Sequence, residues 1–237
     1  KPPVADFDWT PKPVWEGDYV TLLNQFSDPD NDDLSYTYLI RRPDGTTQNF
    51  TGTVSAPYPG EGPKFRANIP GSYTVTLTVT DEKGESDQMT KTIPVGELSV
   101  KGQVRHTEEW NNHRIRYNQS ITGTDDLPRP YDMFWAGEVF VLHANTTNTG
   151  SSNTRAVWVE VTLLEENVTV RLNSSDQINW SGEMWNEDFI KLKDGPYRFR
   201  FRARYEGSEN PGVIKEDIVT IEIKDNIYDY FRLHRKR

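Results

Sequence analysis

The chain contains no cysteine, and this absence excludes several kinds of structure and chemistry. Without a thiol there can be no disulfide, no thiolate-bound zinc and no cysteine nucleophile. Because small animal ectodomains usually depend on disulfides, their absence favours a cytosolic protein or a bacterial or archaeal surface protein that does without them.

Long apolar runs are missing as well. No stretch of the sequence approaches the roughly 18 consecutive apolar residues that a membrane-spanning helix requires. No signal-peptide pattern is present either. We therefore expect no membrane span in this chain.

Recognisable catalytic motifs are also lacking. None of the four histidines lies in a His-Glu-x-x-His zinc pattern, and there is neither a Gly-x-Ser-x-Gly elbow nor a phosphate-binding glycine loop. Glu165 and Glu166 are adjacent, so on a strand they point to opposite faces instead of converging across a cleft as glycosidase acids do. The sequence predicts that this chain is not an enzyme.

Positive charge is scarce in the first part of the chain. The net charge of the whole chain is −9, and residues 1–97 hold 8 Lys and Arg against 15 Asp and Glu, which gives −7. Nucleic-acid binding requires a basic face, so an acidic domain excludes nucleic acid as the expected partner and is compatible with cations.

What the chain does contain is alternating polarity. From Gly71 to Asp81, Tyr73, Val75, Leu77 and Val79 alternate with four threonines. A period of two over so long a run indicates a half-buried strand. A second such run, from Asp194 to Ala203, has Tyr197, Phe199, Phe201 and Ala203 on one face and arginines on the other.

Short strand patterns separated by Gly, Pro, Asn and Asp recur along the whole chain, and this spacing is typical of all-β proteins. The sequence predicts two Ig-like antiparallel β-sandwiches in tandem, at residues 1–95 and 96–237. The junction at 94–97 is too short and lacks the Gly/Ser content of a free tether, so we expect restricted bending between the two domains.

One segment of the second domain, residues 105–135, does not fit a sandwich pattern. Thr107 is placed to cap a helix that has glutamates in its first turn and arginines near its end, which suits the helix dipole. We expect a short helix near 108–118 followed by a long loop. The chain then closes with an aromatic and basic tail at 227–237.

A dense group of carboxylates lies between two predicted strands of the first domain. Asp28, Asp30, Asp32 and Asp33 place hard oxygen donors within six residues, and Asn24 and Asp81 can approach if the ends of the loops meet. Calcium prefers such ligands, although the spacing is not that of an EF-hand. Two interpretations stay open: a calcium site formed by these six residues, or a solvated turn that needs no cofactor.

Seven tryptophans suggest a second kind of binding site, since sugar rings stack on exposed aromatic faces. The candidate ligand-binding residues are Trp9 and Trp15 near the N-terminal edge and Trp180 and Trp185 around a Ser-Gly-Glu-Met turn. The alternative is that these rings fill the cores of the sandwiches.

Four segments of the first domain match a known family: residues 3–7 (Pro-Val-Ala-Asp-Phe), 27–30 (Ser-Asp-Pro-Asp), 34–36 (Leu-Ser-Tyr) and 70–81, which begins Pro-Gly-Ser-Tyr. On these segments the domain resembles the PKD family, the Ig-like modules of secreted bacterial and archaeal proteins. The chain departs from the family's Trp-Asp-Phe-Gly-Asp-Gly signature, because Tyr38 replaces the tryptophan and 42–45 (Arg-Pro-Asp-Gly) replaces the turn. The resemblance implies a divergent PKD-like, Ig-like fold.

In the second domain, residues 103–110, Arg114, Tyr117, Asn118 and residues 134–140 match another known group. On these residues the domain resembles Ig-like domains from the C-terminal parts of large Gram-positive surface proteins. Together the two resemblances imply a place in a larger prokaryotic surface or secreted protein. Because no catalytic motif is present, we expect a non-catalytic spacer, with other domains of that protein as partners. The alternative function is adhesion, with a polysaccharide or an extracellular matrix polymer as the partner.

Overall fold

A computed structural model describes residues 1–58, 60–107, 132–147 and 154–225. The strands of the first sandwich are β1 (Phe7–Thr10), β2 (Val14–Trp15), β3 (Tyr19–Asn24), β4 (Leu34–Arg41), β5 (Thr47–Val54), β6 (Glu61–Arg66), β7 (Gly71–Asp81) and β8 (Ser86–Gly96). They form a five-stranded sheet in the order β2-β8-β7-β4-β5 and a three-stranded sheet in the order β1-β3-β6.

The alternation predicted for Gly71–Asp81 is present in β7, the central strand of the larger sheet. Tyr73, Val75, Leu77 and Val79 are fully buried, and the threonines between them are half-buried. The opposite side of this core comes from the smaller sheet, chiefly from Phe7 and Leu22. The core thus lies between two layers that are antiparallel apart from the short parallel β2–β8 pair, as expected for an Ig-like sandwich.

The second sandwich contains β9 (Val100–His106), β10 (Met133–Trp135), β11 (Phe140–Thr146), β12 (Arg155–Leu163), β13 (Val168–Arg171), β14 (Asn179–Met184), β15 (Gly195–Gly207) and β16 (Asn210–Lys224). One sheet has the order β10-β16-β15-β12-β13 and the other the order β14-β11-β9. Phe199, Phe201 and Ala203 of β15 are buried as predicted, whereas Tyr197 at its start is not.

Two local elements of the second sandwich depart from a plain antiparallel pattern. Glu187–Lys191 is a 3-10 helix whose first turn is capped by the side chain of Asn186. β10 pairs in parallel with β16. The predicted helix near 108–118, most of the loop after it and the tail at 227–237 lie outside the described residues.

The chain divides into two compact units whose boundaries differ from a simple cut at residue 95. The first unit contains Lys1–Leu98 together with Thr149–Arg155 and Tyr205–Val213. The second unit contains Ser99–Asn148, Ala156–Arg204 and Ile214–Arg237. In the described ranges, no helix combines the length and the apolar character needed to cross a bilayer.

Candidate metal centre

The acidic loop between β3 and β4 folds so that one of its carboxylates is buried. Asp28 is only 5% exposed. Its Oδ1 accepts hydrogen bonds from the backbone amides of Asp30 (2.6 Å) and Asp32 (3.5 Å). Asn31 completes the turn with a φ of 60°, a left-handed conformation that asparagine tolerates well. The loop's own backbone therefore fixes one oxygen of Asp28.

The turn between β7 and β8 fixes a second carboxylate in the same way. Asp81 is 6% exposed, and its Oδ1 accepts from the amides of Lys83 and Glu85, both at 2.8 Å. Because Asp81 lies opposite Leu34 in the β4–β7 ladder, the pairing of these strands brings this turn next to the acidic loop.

The second oxygen of each buried carboxylate is left without a hydrogen-bond partner. Asp28 Oδ2 and Asp81 Oδ2 are both inaccessible to solvent and unpaired. Asp28, Asp32 and Asp81 form a cluster in which each residue offers one carboxylate oxygen, and these three oxygens lie within 4.8 Å of one another. Two buried carboxylates at this separation repel strongly, and each keeps one oxygen without a hydrogen-bond partner, so the arrangement fits a hard divalent cation.

Asp32 and Lys83 lie at the exposed side of this cluster. Lys83 Nζ is 2.5 Å from Asp32 Oδ2, and this hydrogen bond is the main cause of the raised pKa of Lys83. The Tyr58 hydroxyl donates to the Asp32 carbonyl at 2.8 Å. Burial, followed by the negative charges of Asp28, Asp32 and Asp33, raises the pKa of Tyr58.

The structure brings together three of the six residues proposed as metal ligands. The other three are not members of the cluster. Asp30 is paired with Lys83 at 3.5 Å and with the amino group of Lys1 at 2.5 Å, and Asp33 is exposed. Asn24 faces the core, where its Oδ1 accepts from the Tyr38 hydroxyl at 2.8 Å. Asn24 therefore belongs to a buried hydrogen-bond network of the sandwich.

The four tryptophans proposed for sugar stacking differ in exposure. Trp180 is only 6% exposed and its Nε1 donates to Thr146 Oγ1 at 3.1 Å, so its ring fills the core and is not available to a ligand. Trp9 and Trp15 are half-buried, and Trp15 packs over Gly96. Trp185 is 50% exposed, so it is the member of this set with a substantially accessible ring.

The arginines on the outward face of β15 are at least partly neutralised by acidic neighbours. Arg198 Nε is 2.8 Å from Glu165 Oε1. Arg202 lies 3.2 Å from Glu160 and 2.9 Å from Glu216. These pairs are consistent with a solvated sheet face, for which long charged side chains are common.

Comparisons with known proteins find similarity in the first part of the chain. A family model described as a bacterial Ig domain matches residues 1–94. The PKD1 domain of the Vibrio cholerae metalloprotease PrtV is 35% identical, and the match covers 40% of this chain and 99% of that domain with a TM-score of 0.28. The PKD1 domain of Vibrio anguillarum Epp is 28% identical, with coverages of 41% and 96% and a TM-score of 0.29.

A longer match covers 94% of this chain and 66% of a solved structure from a 1.5-MDa bacterial ice-binding adhesin, at 14% identity and a TM-score of 0.40. No curated protein matches the chain.

Proposed function

We propose, on the premise that residues 1–94 belong to the bacterial Ig domain family as a divergent PKD-like domain, that this chain is a non-catalytic structural module of a larger surface or secreted protein. In this role it holds other domains of that protein apart. We further propose that a calcium ion at Asp28, Asp32 and Asp81 stiffens the first domain.

The calcium proposal is supported by two buried oxygens that have no hydrogen-bond partner, Asp28 Oδ2 and Asp81 Oδ2. Calcium takes several oxygen ligands in flexible geometry, which matches carboxylates contributed by two separate turns. The ion would neutralise buried charge and tie the β3–β4 loop to the β7–β8 turn. Such a link restrains the end of the sandwich without any chemistry on a substrate.

The spacer role is favoured over polymer binding by the placement of the aromatic candidates. A sugar-binding face usually presents several exposed rings, whereas Trp180 is buried and Trp9 and Trp15 are half-buried.

In the described part of the chain, the one group of three or more acidic, histidine or cysteine side chains with metal-binding geometry is the aspartate cluster of the first domain.

Calorimetric titration of the chelator-treated chain with calcium chloride tests the ion. We expect one site in the native chain, loss of binding in Asp28→Asn and Asp81→Asn, and retained binding in the matched control Asp33→Asn, which changes an exposed carboxylate outside the cluster. Thermal melts that superimpose in calcium and in chelator would remove the ion proposal.

Polymer binding is the second candidate, and it is favoured by one observation. Trp185 is 50% exposed and Ile190, in the adjacent 3-10 helix, is 68% exposed. Co-sedimentation with cellulose, chitin, peptidoglycan and collagen, in calcium and in chelator, separates the two functions. Retention that is lost in Trp185→Ala and kept in Leu39→Ala would establish adhesion, and failure to bind any of these polymers supports the spacer.

A further inference from the structure

One sheet edge of the first sandwich differs from the others in lacking any protection. β5 lies at the end of the five-stranded sheet, and in the described part of the chain it pairs with β4 alone. All eight of its residues, Thr47 to Val54, have a partner in β4, without a bulge. Every second residue of such a strand directs its N–H and C=O away from the sheet, where they can pair with another strand.

The other edges carry features that discourage strand addition. Edge strands are typically protected by short length, charge, proline or bulges. Four edge strands are short, with two to four residues: β1, β2, β10 and β13. The longer edge strands carry proline or charge: β6 has Pro63 and Lys64, β9 has Lys101 and Arg105, and β14 has Glu183. β6 also shifts its register against β3. β5 has none of these features.

The composition of β5 fits a second copy of itself. Its sequence, Thr-Gln-Asn-Phe-Thr-Gly-Thr-Val, contains no charge, although 27% of the residues in the chain are charged. Thr47, Asn49, Thr51 and Thr53 are exposed on one face. Two copies of a chain with net charge −9 repel each other overall, so a neutral edge is where they can meet without facing like charges.

The opposite face of β5 offers apolar area to an added strand. Phe50 and Val54 are half-buried against the core, and the Tyr36 ring lies directly over Gly52. A strand placed beside β5 would cover the open sides of these groups. Antiparallel pairing of two identical strands about a two-fold axis is self-complementary, which is the symmetry of most protein dimers.

We propose that β5 is an interaction surface through which two copies of this chain associate, by antiparallel β5–β5 pairing that joins two five-stranded sheets into one continuous sheet. The contact does not involve the aspartate cluster or Trp185. Failure of this inference therefore leaves both proposed functions untouched.

Sedimentation velocity of the full chain over a wide concentration range tests the proposal. We expect a reversible monomer–dimer equilibrium for the native chain. Thr51→Lys and Thr51→Glu place like charges across the two-fold axis, and each variant should dimerise at least about tenfold more weakly. An equimolar mixture of the two variants should regain the dimer, because opposite charges then face each other.

Leu39→Lys is the matched control, since Leu39 is an exposed residue on the neighbouring β4, directly opposite Asn49. It should leave the dimer intact, and circular dichroism should show that all variants are folded. A native chain that is monomeric at every concentration overturns the proposal. The proposal is also overturned if Leu39→Lys dissociates the dimer and Thr51→Lys does not, because the contact would then lie on the face of the sheet.

Amide hydrogen exchange locates the contact independently. At concentrations where the dimer forms, amides between Thr47 and Val54 should exchange more slowly than in dilute solution. Protection that appears elsewhere while β5 is unchanged would also contradict the inference.

Discussion

Asp28 lies in the β3–β4 loop and Asp81 at the end of β7, and their carboxylates approach within 4.8 Å. One oxygen of each accepts from backbone amides, and the other has no hydrogen-bond partner. The backbone therefore fixes both groups where they repel one another. A strand register and two local turns produce this arrangement together, and neither turn produces it alone.

The aspartate pair should affect stability with opposite sign in calcium and in chelator. Asp81→Asn keeps an acceptor for the amides of Lys83 and Glu85 and removes one negative charge. In chelator we expect the variant to be more stable than the native chain, by on the order of 1–3 kcal/mol, because the repulsion is relieved. In saturating calcium the native chain should be the more stable of the two.

Urea unfolding of the native chain and Asp81→Asn, in calcium and in chelator, measures this reversal. Asp33→Asn is the control, and its free energy of unfolding should differ little from that of the native chain in either condition. If Asp81→Asn is destabilised equally with and without calcium, the carboxylate acts through its hydrogen bonds alone.

Tyrosines in the first sandwich should make the chain sensitive to alkaline pH. Burial raises the pKa of Tyr38, and it also raises the pKa of Tyr73. The native state therefore holds these protons more tightly than the unfolded chain, whose tyrosines ionise near pH 10. The stability from this source is fully present below about pH 10 and is lost as the pH rises further.

Tyr38→Phe should make the loss of stability above pH 10 less steep. At neutral pH the variant should have a free energy of unfolding lower by about 1–2 kcal/mol, because the Tyr38 hydroxyl donates to buried Asn24. Stability of the native chain and the variant measured between pH 7 and 11 tests both effects. An identical slope above pH 10 in the two proteins would exclude Tyr38 as a contributor.

A glycine in β9 allows close packing between the two sheets of the second sandwich. A Cβ atom built on Gly102 would lie 2.2 Å from the ring of Phe201, which is fully buried and cannot move aside. Gly102→Ala should therefore destabilise the fold by about 1–3 kcal/mol through overpacking. Gly60→Ala is the control, because its Cβ would meet no atom within 4 Å. Equal melting temperatures for the two variants would contradict this packing.

Asn210, the first residue of β16, should contribute to the stability of the first compact unit. Buried Asn210 donates through Nδ2 to Asp18 Oδ1 and to the Glu16 carbonyl, both at 3.0 Å, and Thr154 Oγ1 donates to the same Asp18 oxygen at 2.6 Å. Asn210→Ala removes one hydrogen-bond donor from Asp18 Oδ1 and from the Glu16 carbonyl. We expect the free energy of unfolding to fall by about 2–3 kcal/mol.

Its neighbour Glu209 provides the control for this experiment. Glu209→Ala removes an exposed ion pair with Lys64 and should cost less than about 1 kcal/mol. Chemical denaturation of both variants compares the two losses. Similar small losses would show that the network around Asp18 contributes little to stability.

The amino-acid sequence by itself determined the all-β class and the main strands. Alternation of Tyr73, Val75, Leu77 and Val79 with threonines permits one arrangement, a strand with one buried face, because the side-chain period of a strand is two. The Ig-like fold that the PKD resemblance implied for the first domain was confirmed by the match of residues 1–94 to the bacterial Ig domain family.

Only the tertiary structure decided which residues meet. Proximity in sequence grouped Asp30 and Asp33 with Asp28, but neither belongs to the cluster, whereas strand pairing brings Asp81 in from far along the chain. Hydrophobicity alone does not show whether a tryptophan lies in the core or on the surface, and packing placed Trp180 inside and Trp185 outside. Contacts between residues distant in sequence depend on register and packing, which no local pattern encodes.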